Sequence, residues 1–299
     1  MIKESYRYIN LDGNWTIEGM DPEEGLLPRK AYEPKYLPKD PVPAEVPGIV
    51  QNHLFQAGRI EDPYWEMNNE KILWIEEKEW WYFKDFTVPD DLKGRKYHIV
   101  LEGITYRANV WLDGINIGNV EGMFLRHYLD VTHLVKPGKT HRLTIRCRAL
   151  ENSSEDRPGG KIKRGAVRSS GVVAPFSYWW NWSPHMVPVG IWKSVWLRIT
   201  GGAIFADPFI RTKINWDECE EAASAEVLAT VDVESDFEKP EKCILRGLIS
   251  GIDFDDGAIE IKEEITLNPG KNVIEIKKQL DRPRLWWPNG MGEHPLYRF

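Results

Sequence analysis

The feature that most constrains this chain is the recurrence of apolar residues at every second position, the period of a strand with one buried face. Tyr97, Ile99 and Leu101 alternate with His98, Val100 and Glu102. Ala108, Val110 and Leu112 lead to Asp113-Gly114, a dipeptide that supplies the positive φ of a tight hairpin turn, and Ile115 and Ile117 resume the pattern. Leu143, Ile145, Cys147 and Ala149 face one way, with Thr144, Arg146 and Arg148 facing the other. The period returns at Val195, Leu197 and Ile199, at Val227, Ala229, Val231 and Val233, and at Ile259, Ile261, Glu263 and Ile265. Helical spacing is scarce. Its best instance is Pro47 to Gly58, where Val50, Leu54 and Ala57 fall on one face, Pro47 suits a first turn and Gly58 a C-terminal stop. Many short strands and one short helix predict an all-β chain built of sandwiches.

At 299 residues the chain has room for two such units. The punctuation at Thr200-Gly201-Gly202 sets expected domains at 1–201 and 202–299. The second reads as a plain sandwich with acidic turns such as Asp253-Phe254-Asp255-Asp256-Gly257. The sequence stops at Leu296-Tyr297-Arg298-Phe299, an aromatic alternation where termini are usually polar. The expectation is a piece of a longer protein, with C-terminal strands missing from the second sandwich and self-association through the truncated edge.

The balance of 39 basic and 46 acidic side chains, a net of −7, disfavours nucleic acid or an anionic membrane as a partner. Residues 1–10 carry no apolar secretory core and no run reaches transmembrane length, so a cytoplasmic location is expected. Cys147, Cys219 and Cys243 are scattered and read as reduced, buried thiols. No metal or other cofactor is expected, since the seven His are dispersed without ligand spacing.

Fourteen Trp is a large number for this length, and eleven of them precede Gly201. The densest run is Phe176-Ser177-Tyr178-Trp179-Trp180-Asn181-Trp182-Ser183-Pro184-His185. Alternate residues of a strand point to opposite faces, so a sheet cannot hide so many consecutive rings. Indole rings beside polar groups suit carbohydrate, whose C–H faces stack on aromatics while amides bond the hydroxyls. Trp179, Trp180, Asn181 and Trp182 are therefore the candidate substrate-binding residues, weighed against a role as structural anchors to a partner domain, which is favoured for Trp179 and Trp180. A second cluster, Tyr64, Trp65, Trp74, Trp80, Trp81 and Tyr82, runs into an alternating strand and is expected to be packing. The stretch from Arg157 to Arg168, with Pro158-Gly159-Gly160 and the basic residues Lys161, Lys163, Arg164 and Arg168, reads as a solvated surface loop and fits no phosphate-binding spacing. Neither a zinc-protease helix motif nor a serine nucleophile elbow is present, and no carboxylate pair has a distinguishing context.

Several motifs taken together resemble the N-terminal sugar-binding domain of family 2 glycoside hydrolases. They are Val46-Pro47-Gly48-Ile49-Val50, Asp62-Pro63-Tyr64-Trp65, Trp80-Trp81-Tyr82-Phe83, Leu101-Glu102-Gly103-Ile104 and Val110-Trp111-Leu112-Asp113-Gly114. Tyr178 to Pro184 with Val189-Gly190-Ile191-Trp192 resembles the Trp-Asp-Trp-Gly-Pro loop of the β-mannosidase branch. Leu285-Trp286-Trp287-Pro288-Asn289-Gly290 with Pro295-Leu296-Tyr297 resembles the late part of that branch's second domain. The resemblance implies a jelly-roll, galactose-binding-like sandwich, then an immunoglobulin-like sandwich, then a TIM barrel beyond residue 299 that carries both catalytic glutamates. Asn69-Glu70 lies far from any barrel pattern and does not qualify as the family's Asn-Glu acid/base pair. No catalytic residue is therefore expected here.

The resemblance further implies the non-catalytic front of a retaining exo-β-glycosidase, with a β-linked carbohydrate and its own TIM barrel as partners. In the β-mannosidase branch the loop's Asp bonds a sugar hydroxyl. Asn181 stands at that position and Ser183 replaces the Gly; an amide keeps an acceptor, loses the charge and adds donors. Alternatives are another specificity in the family, such as β-galactosidase, β-glucuronidase or exo-β-glucosaminidase, a free-standing carbohydrate-binding module, and a purely structural scaffold.

Overall fold

The computed structural model describes residues 6–92, 94, 96–149, 177, 184–206, 208–219 and 221–299. Trp179, Trp180, Asn181 and Trp182, and the stretch from Arg157 to Arg168, lie outside the described residues. The chain falls into two compact units, Met1–Thr200 and Gly201–Phe299. Both are all-β, as the alternation predicts.

In the first unit the strands are β1 (Tyr6–Asn10), β2 (Gly13–Met20), β3 (Val42–Val46), β4 (Glu79–Thr87), β5 (Lys96–Leu101), β6 (Arg107–Leu112), β7 (Ile115–Glu121), β8 (His127–Asp130), β9 (Thr140–Cys147) and β10 (Val195–Thr200). Two short helices, α1 (Val50–Gln56) and α2 (Asn68–Lys71), follow β3. The strands form a four-stranded sheet, β1-β10-β5-β8, and a six-stranded sheet, β3-β2-β4-β9-β6-β7. Inward residues of both sheets make one core: Trp15 and Ile17 of β2, Trp80 and Tyr82 of β4, Leu143 and Ile145 of β9, Ile99 and Leu101 of β5, Leu197 and Ile199 of β10. The Asp113-Gly114 turn joins β6 to β7 with φ of 50° and 83° at its two residues, as its sequence requires.

The larger sheet is buried on its outer face too, because the segment after β2 folds back across it. Met20, Ala31, Trp81, Phe83 and Trp111 form a second apolar layer there, with Tyr32 and Tyr36 packed against it. Trp81 stacks on Trp111 and Trp111 on Tyr32, at centroid separations of 5.3 and 5.8 Å. Gly25 lies so close that a Cβ there would fall 2.4 Å from the Trp81 ring. Charges ride on the same layer. Arg146 is fully buried and bonds the buried Glu79 carboxylate through Nε at 2.8 Å and through Nη2, with Glu23 also bound to Nη2 at 2.5 Å. The Glu18 carboxylate is met by Arg29, by the Tyr36 hydroxyl at 2.8 Å and by the backbone N–H of Lys39 and Asp40. Each buried charge is thereby paired and hydrogen-bonded, as burial demands.

Three expectations need correction. The helix begins at Val50 rather than in a first turn at Pro47, because the N–H groups of Gly48 and Val50 are committed to the carbonyls of Ile191 and Val189, which keeps residues 47–49 extended. The solvent side expected for Thr144 and Arg146 is a buried layer. Of the three thiols Cys147 is buried, Cys243 is half-buried and Cys219 is exposed; Cys219 sits in an acidic turn, its N–H held by Asp217.

The second unit contains β11 (Ala203–Phe205), β12 (Phe209–Trp216), β13 (Ala222–Ser235), β14 (Glu241–Gly251), β15 (Ile259–Leu267), β16 (Gly270–Asp281) and β17 (Tyr297–Arg298). β13 pairs with β11, β12 and β16, while β14 lies between β15 and β17. Ala225, Val227, Ala229, Val231 and Val233 of β13 meet Ile249 of β14 and Ile261 and Leu267 of β15 in a single core.

Candidate functional site

The four candidate residues lie between two described anchors whose surroundings can be built from the sequence up. The N–H of Met186 donates to the carbonyl of Ser177 at 3.0 Å, and Ser177 is itself buried. Ser177 and Met186 are therefore held side by side. Beyond the base, the returning segment is fastened along its length. Gln51 of α1 donates its amide to the Val187 carbonyl at 2.6 Å. Val50 N–H donates to Val189 at 2.8 Å, Gly48 N–H to Ile191 at 2.8 Å and Thr105 N–H to Gly190 at 2.9 Å. The indole of Trp192 donates to the Met123 carbonyl at 3.1 Å.

Gly190 shows why a glycine stands in this clamp. Its φ is +136°, and a Cβ there would lie 2.4 Å from the Tyr82 hydroxyl and 3.0 Å from the carbonyl oxygen of Gly48. Behind it is a buried polar cluster. The His53 ring meets Tyr82 edge-on at 6.4 Å, and neither ring nitrogen has a hydrogen-bond partner among the described residues. Burial alone depresses the His53 pKa to about 4, so the imidazole is neutral. Burial likewise pushes the Tyr82 hydroxyl and the Cys147 thiol well up, which leaves both protonated and unreactive.

A second link ties the loop base to the segment after α1. His185 is buried, and its Nε2 donates to the Glu76 carboxylate at 2.5 Å, because a carboxylate can only accept. Glu76 belongs to a short 3₁₀ turn, Leu73–Glu77, that follows α2. The same segment exposes Tyr64 at 71% and Trp65 at 66%, along with Met67 and part of Trp74. The packing expected of the second aromatic cluster thus holds for Trp80, Trp81 and Tyr82 but fails for Tyr64 and Trp65. Those two rings precede α2 in a turn where Asp62 caps the backbone at Tyr64, outside any strand. Their place between Pro63 and a non-alternating stretch was the available signal. The link from His185 to Glu76, 109 residues apart, left no sequence trace.

The described residues hold no cluster of three or more His, Cys, Asp or Glu arranged for a metal ion. Glu70 is exposed on α2 and Asn69 is buried there.

A four-stranded and a six-stranded antiparallel sheet packed over one core define a sandwich of the galactose-binding-like class. Residues 23–193 match the family model described as glycosyl hydrolase 2 galactose-binding domain-like, and the chain belongs to that family. It is 28% identical to β-mannosidase B of Emericella nidulans over 84% of this chain and 29% of that protein. It is 27% identical to the β-mannosidase of Capra hircus over 97% of this chain and 32% of that one. Among solved structures, the β-D-mannosidase from Dictyoglomus thermophilum superposes with a TM-score of 0.77 at 27% identity, covering 97% of this chain and 33% of that chain. The chain thus spans about a third or less of the length of the relatives it matches.

Proposed function

We propose that this chain is the N-terminal, non-catalytic portion of a retaining exo-β-glycosidase of the β-mannosidase type. In this reading the loop between Ser177 and Met186 completes the substrate pocket of a catalytic barrel, with Asn181 bonding a sugar hydroxyl and Trp182 stacking on the ring. The observation that carries it is the closed loop base, Met186 N–H on Ser177 C=O, with its backing of fixed hydrogen bonds from α1 and Thr105. Such a frame holds a short loop in place, which is what orientation of a reacting group requires. The length and naming of the relatives add support, since each is a β-mannosidase about three times as long. The exposed Tyr64, Trp65 and Met67 offer an apolar surface for the barrel, tied through Glu76 and His185 to the same loop base.

Hydrolysis with retention needs two carboxylates about 5 Å apart across the glycosidic bond. On this reading both are supplied by the barrel, so the 299-residue chain alone leaves 4-nitrophenyl β-D-mannopyranoside intact. In the parent protein, Asn181→Ala is expected to lower kcat/KM by about 100-fold, the worth of a hydroxyl contact strengthened in the transition state. An unchanged kcat/KM would leave the loop with a scaffold role only.

A second reading, a module that binds carbohydrate unaided, is favoured by the exposure of Tyr64 and Trp65. Calorimetric titration of this chain with mannose and mannobiose separates the two. Millimolar or tighter binding supports the module; its absence supports the pocket-completing role.

A further inference from the structure

The smaller sheet of the first unit, β1-β10-β5-β8, turns one face to the core and the other outward. Residues directly opposite each other in a ladder share a face. The register therefore sets two outward ranks that cross all four strands: Asn10, Trp196, Val100 and Tyr128 in one, and Tyr8, Arg198, His98 and Asp130 in the next. Their neighbours along the chain, Ile9, Leu197, Ile99 and Leu129, belong to the core or pack against it. Three rings stand on the outward face. Tyr8 is 48% and Tyr128 41% exposed, and Trp196 is half-buried. Tyr8 meets Trp196 edge-on at 6.0 Å, so the two make a corner and not a closed stack. Arg198 reaches from β10 across β5, its guanidinium carbon 5.7 Å from the centre of the Tyr128 ring. Both it and Val100 are buried, so the floor between Trp196 and Tyr128 is filled.

The spacing of the rings selects a ligand. Neighbouring strands lie about 4.8 Å apart, so Trp196 and Tyr128, two strands from each other, are spaced by about 10 Å. In an extended β-1,4-linked chain of pyranoses that distance separates one sugar from the next but one. Such a chain is straight because its links are equatorial at both ends, and alternate sugars turn the same face to one side; an α-1,4-linked chain curls. Pyranose C–H faces stack on aromatic rings, while the side chains of Asn10, His98 and Asp130 can bond the hydroxyls. The cations point to a neutral ligand, since Lys96 lies 4.0 Å from Asp130 and Arg198 is only 6% exposed. We infer that the outer face of this sheet is a binding site for an extended, neutral β-1,4-linked oligosaccharide, laid across the strands with alternate sugars on Trp196 and Tyr128 and with Tyr8 flanking the chain. The site uses no residue between Ser177 and Met186, and the inference does not rest on the glycosidase reading.

The test is calorimetric titration of this chain with β-1,4-mannohexaose and with maltohexaose, an α-1,4-linked chain of the same length. The first is expected to bind with a Kd of about 1 mM or tighter and the second not to bind. Mannose and mannobiose reach only one of the two rings and are expected to leave the face empty. Tyr128→Ala and Tyr8→Ala should each weaken the hexaose by about 5-fold or more, whereas Tyr128→Phe, which keeps the ring, should bind as the unchanged chain does. Both tyrosines are exposed, and thermal unfolding of each variant shows whether a lost titration is a lost contact. The double substitution Tyr64→Ala with Trp65→Ala should leave the affinity unchanged, which separates this face from the other exposed aromatic surface. Absence of mannohexaose binding overturns the inference, as does equal binding of maltohexaose. So does affinity that survives Tyr128→Ala or is lost with Tyr64 and Trp65, and a dimer in sedimentation velocity that Tyr128→Ala dissociates, which would make a second copy the occupant.

Discussion

The outer faces of the two sandwiches begin from the same alternation and end differently. In the first unit the outward residues of β4 and β9 include Glu79, Trp81, Phe83, Thr144 and Arg146, all buried under the segment that follows β2. In the second, the outward residues of β14, β15 and β16 include Ile244, Leu248, Glu260, Lys262 and Val273, all exposed. Period two tells which residues share a face; it does not tell whether that face meets water. A covering segment without periodicity decides that. The first unit therefore has an apolar core between its sheets, with Trp15 and Trp80 in it, and a mixed apolar and ionic layer outside, with Trp81 and Trp111.

Four measurements break or sharpen this contrast. The largest effect is expected for Arg146→Met, which leaves the buried Glu79 uncompensated beneath the covering segment. A loss of about 3–5 kcal/mol in chemical denaturation of the first unit is predicted, and a loss under 1 would mean that the outer layer is open to water. Next, Leu143→Ala in the inner core should cost about 3 kcal/mol, whereas Leu248→Ala on the outer face of β14 should stay within about 0.5.

The third measurement uses pH. His53 is 2% exposed and its folded pKa, depressed by burial, is about 4. The unfolded chain binds the proton first, at a pKa of about 6.5. The stability linked to this group is therefore complete above pH 6.5 and is lost as the pH falls toward 4, by about 2–3 kcal/mol. His53→Gln should remove that part of the slope in pH-dependent unfolding of the first unit; an unchanged slope would show that water reaches the ring. The smallest effect is expected for Glu61→Gln, which breaks the exposed ion pair with Lys71 and should shift stability by about 0.5 kcal/mol or less.

Much of the strand layout was legible because inward residues such as Leu143, Ile145 and Leu197 obey one rule wherever they occur. The hairpin at Asp113-Gly114 was legible because the turn restricts φ. What escaped the sequence depends on distant segments. The extended path at Gly48 is imposed by residues 189–191, and the burial of Arg146 by Glu79 and Glu23. Tyr64 and Trp65 depart from the packing expected of aromatic residues because neither sits in a strand. At the candidate site the sequence singles out Trp179, Trp180, Asn181 and Trp182 but carries no sign of the bonds that hold the following segment, since Gln51 reaches Val187 and Glu76 reaches His185 only through the tertiary fold.

The hydrogen bond between Met186 and Ser177 also bears on how a family of such modules diversifies. Once the ends of a loop are joined by the frame, doubling its length adds only about 0.6 kcal/mol of closure entropy. The bonds that hold residues 186–192 then bear little of the cost of a longer connection between Ser177 and Met186. Under the proposed pocket role, specificity can change between those two residues without renegotiating the sandwich.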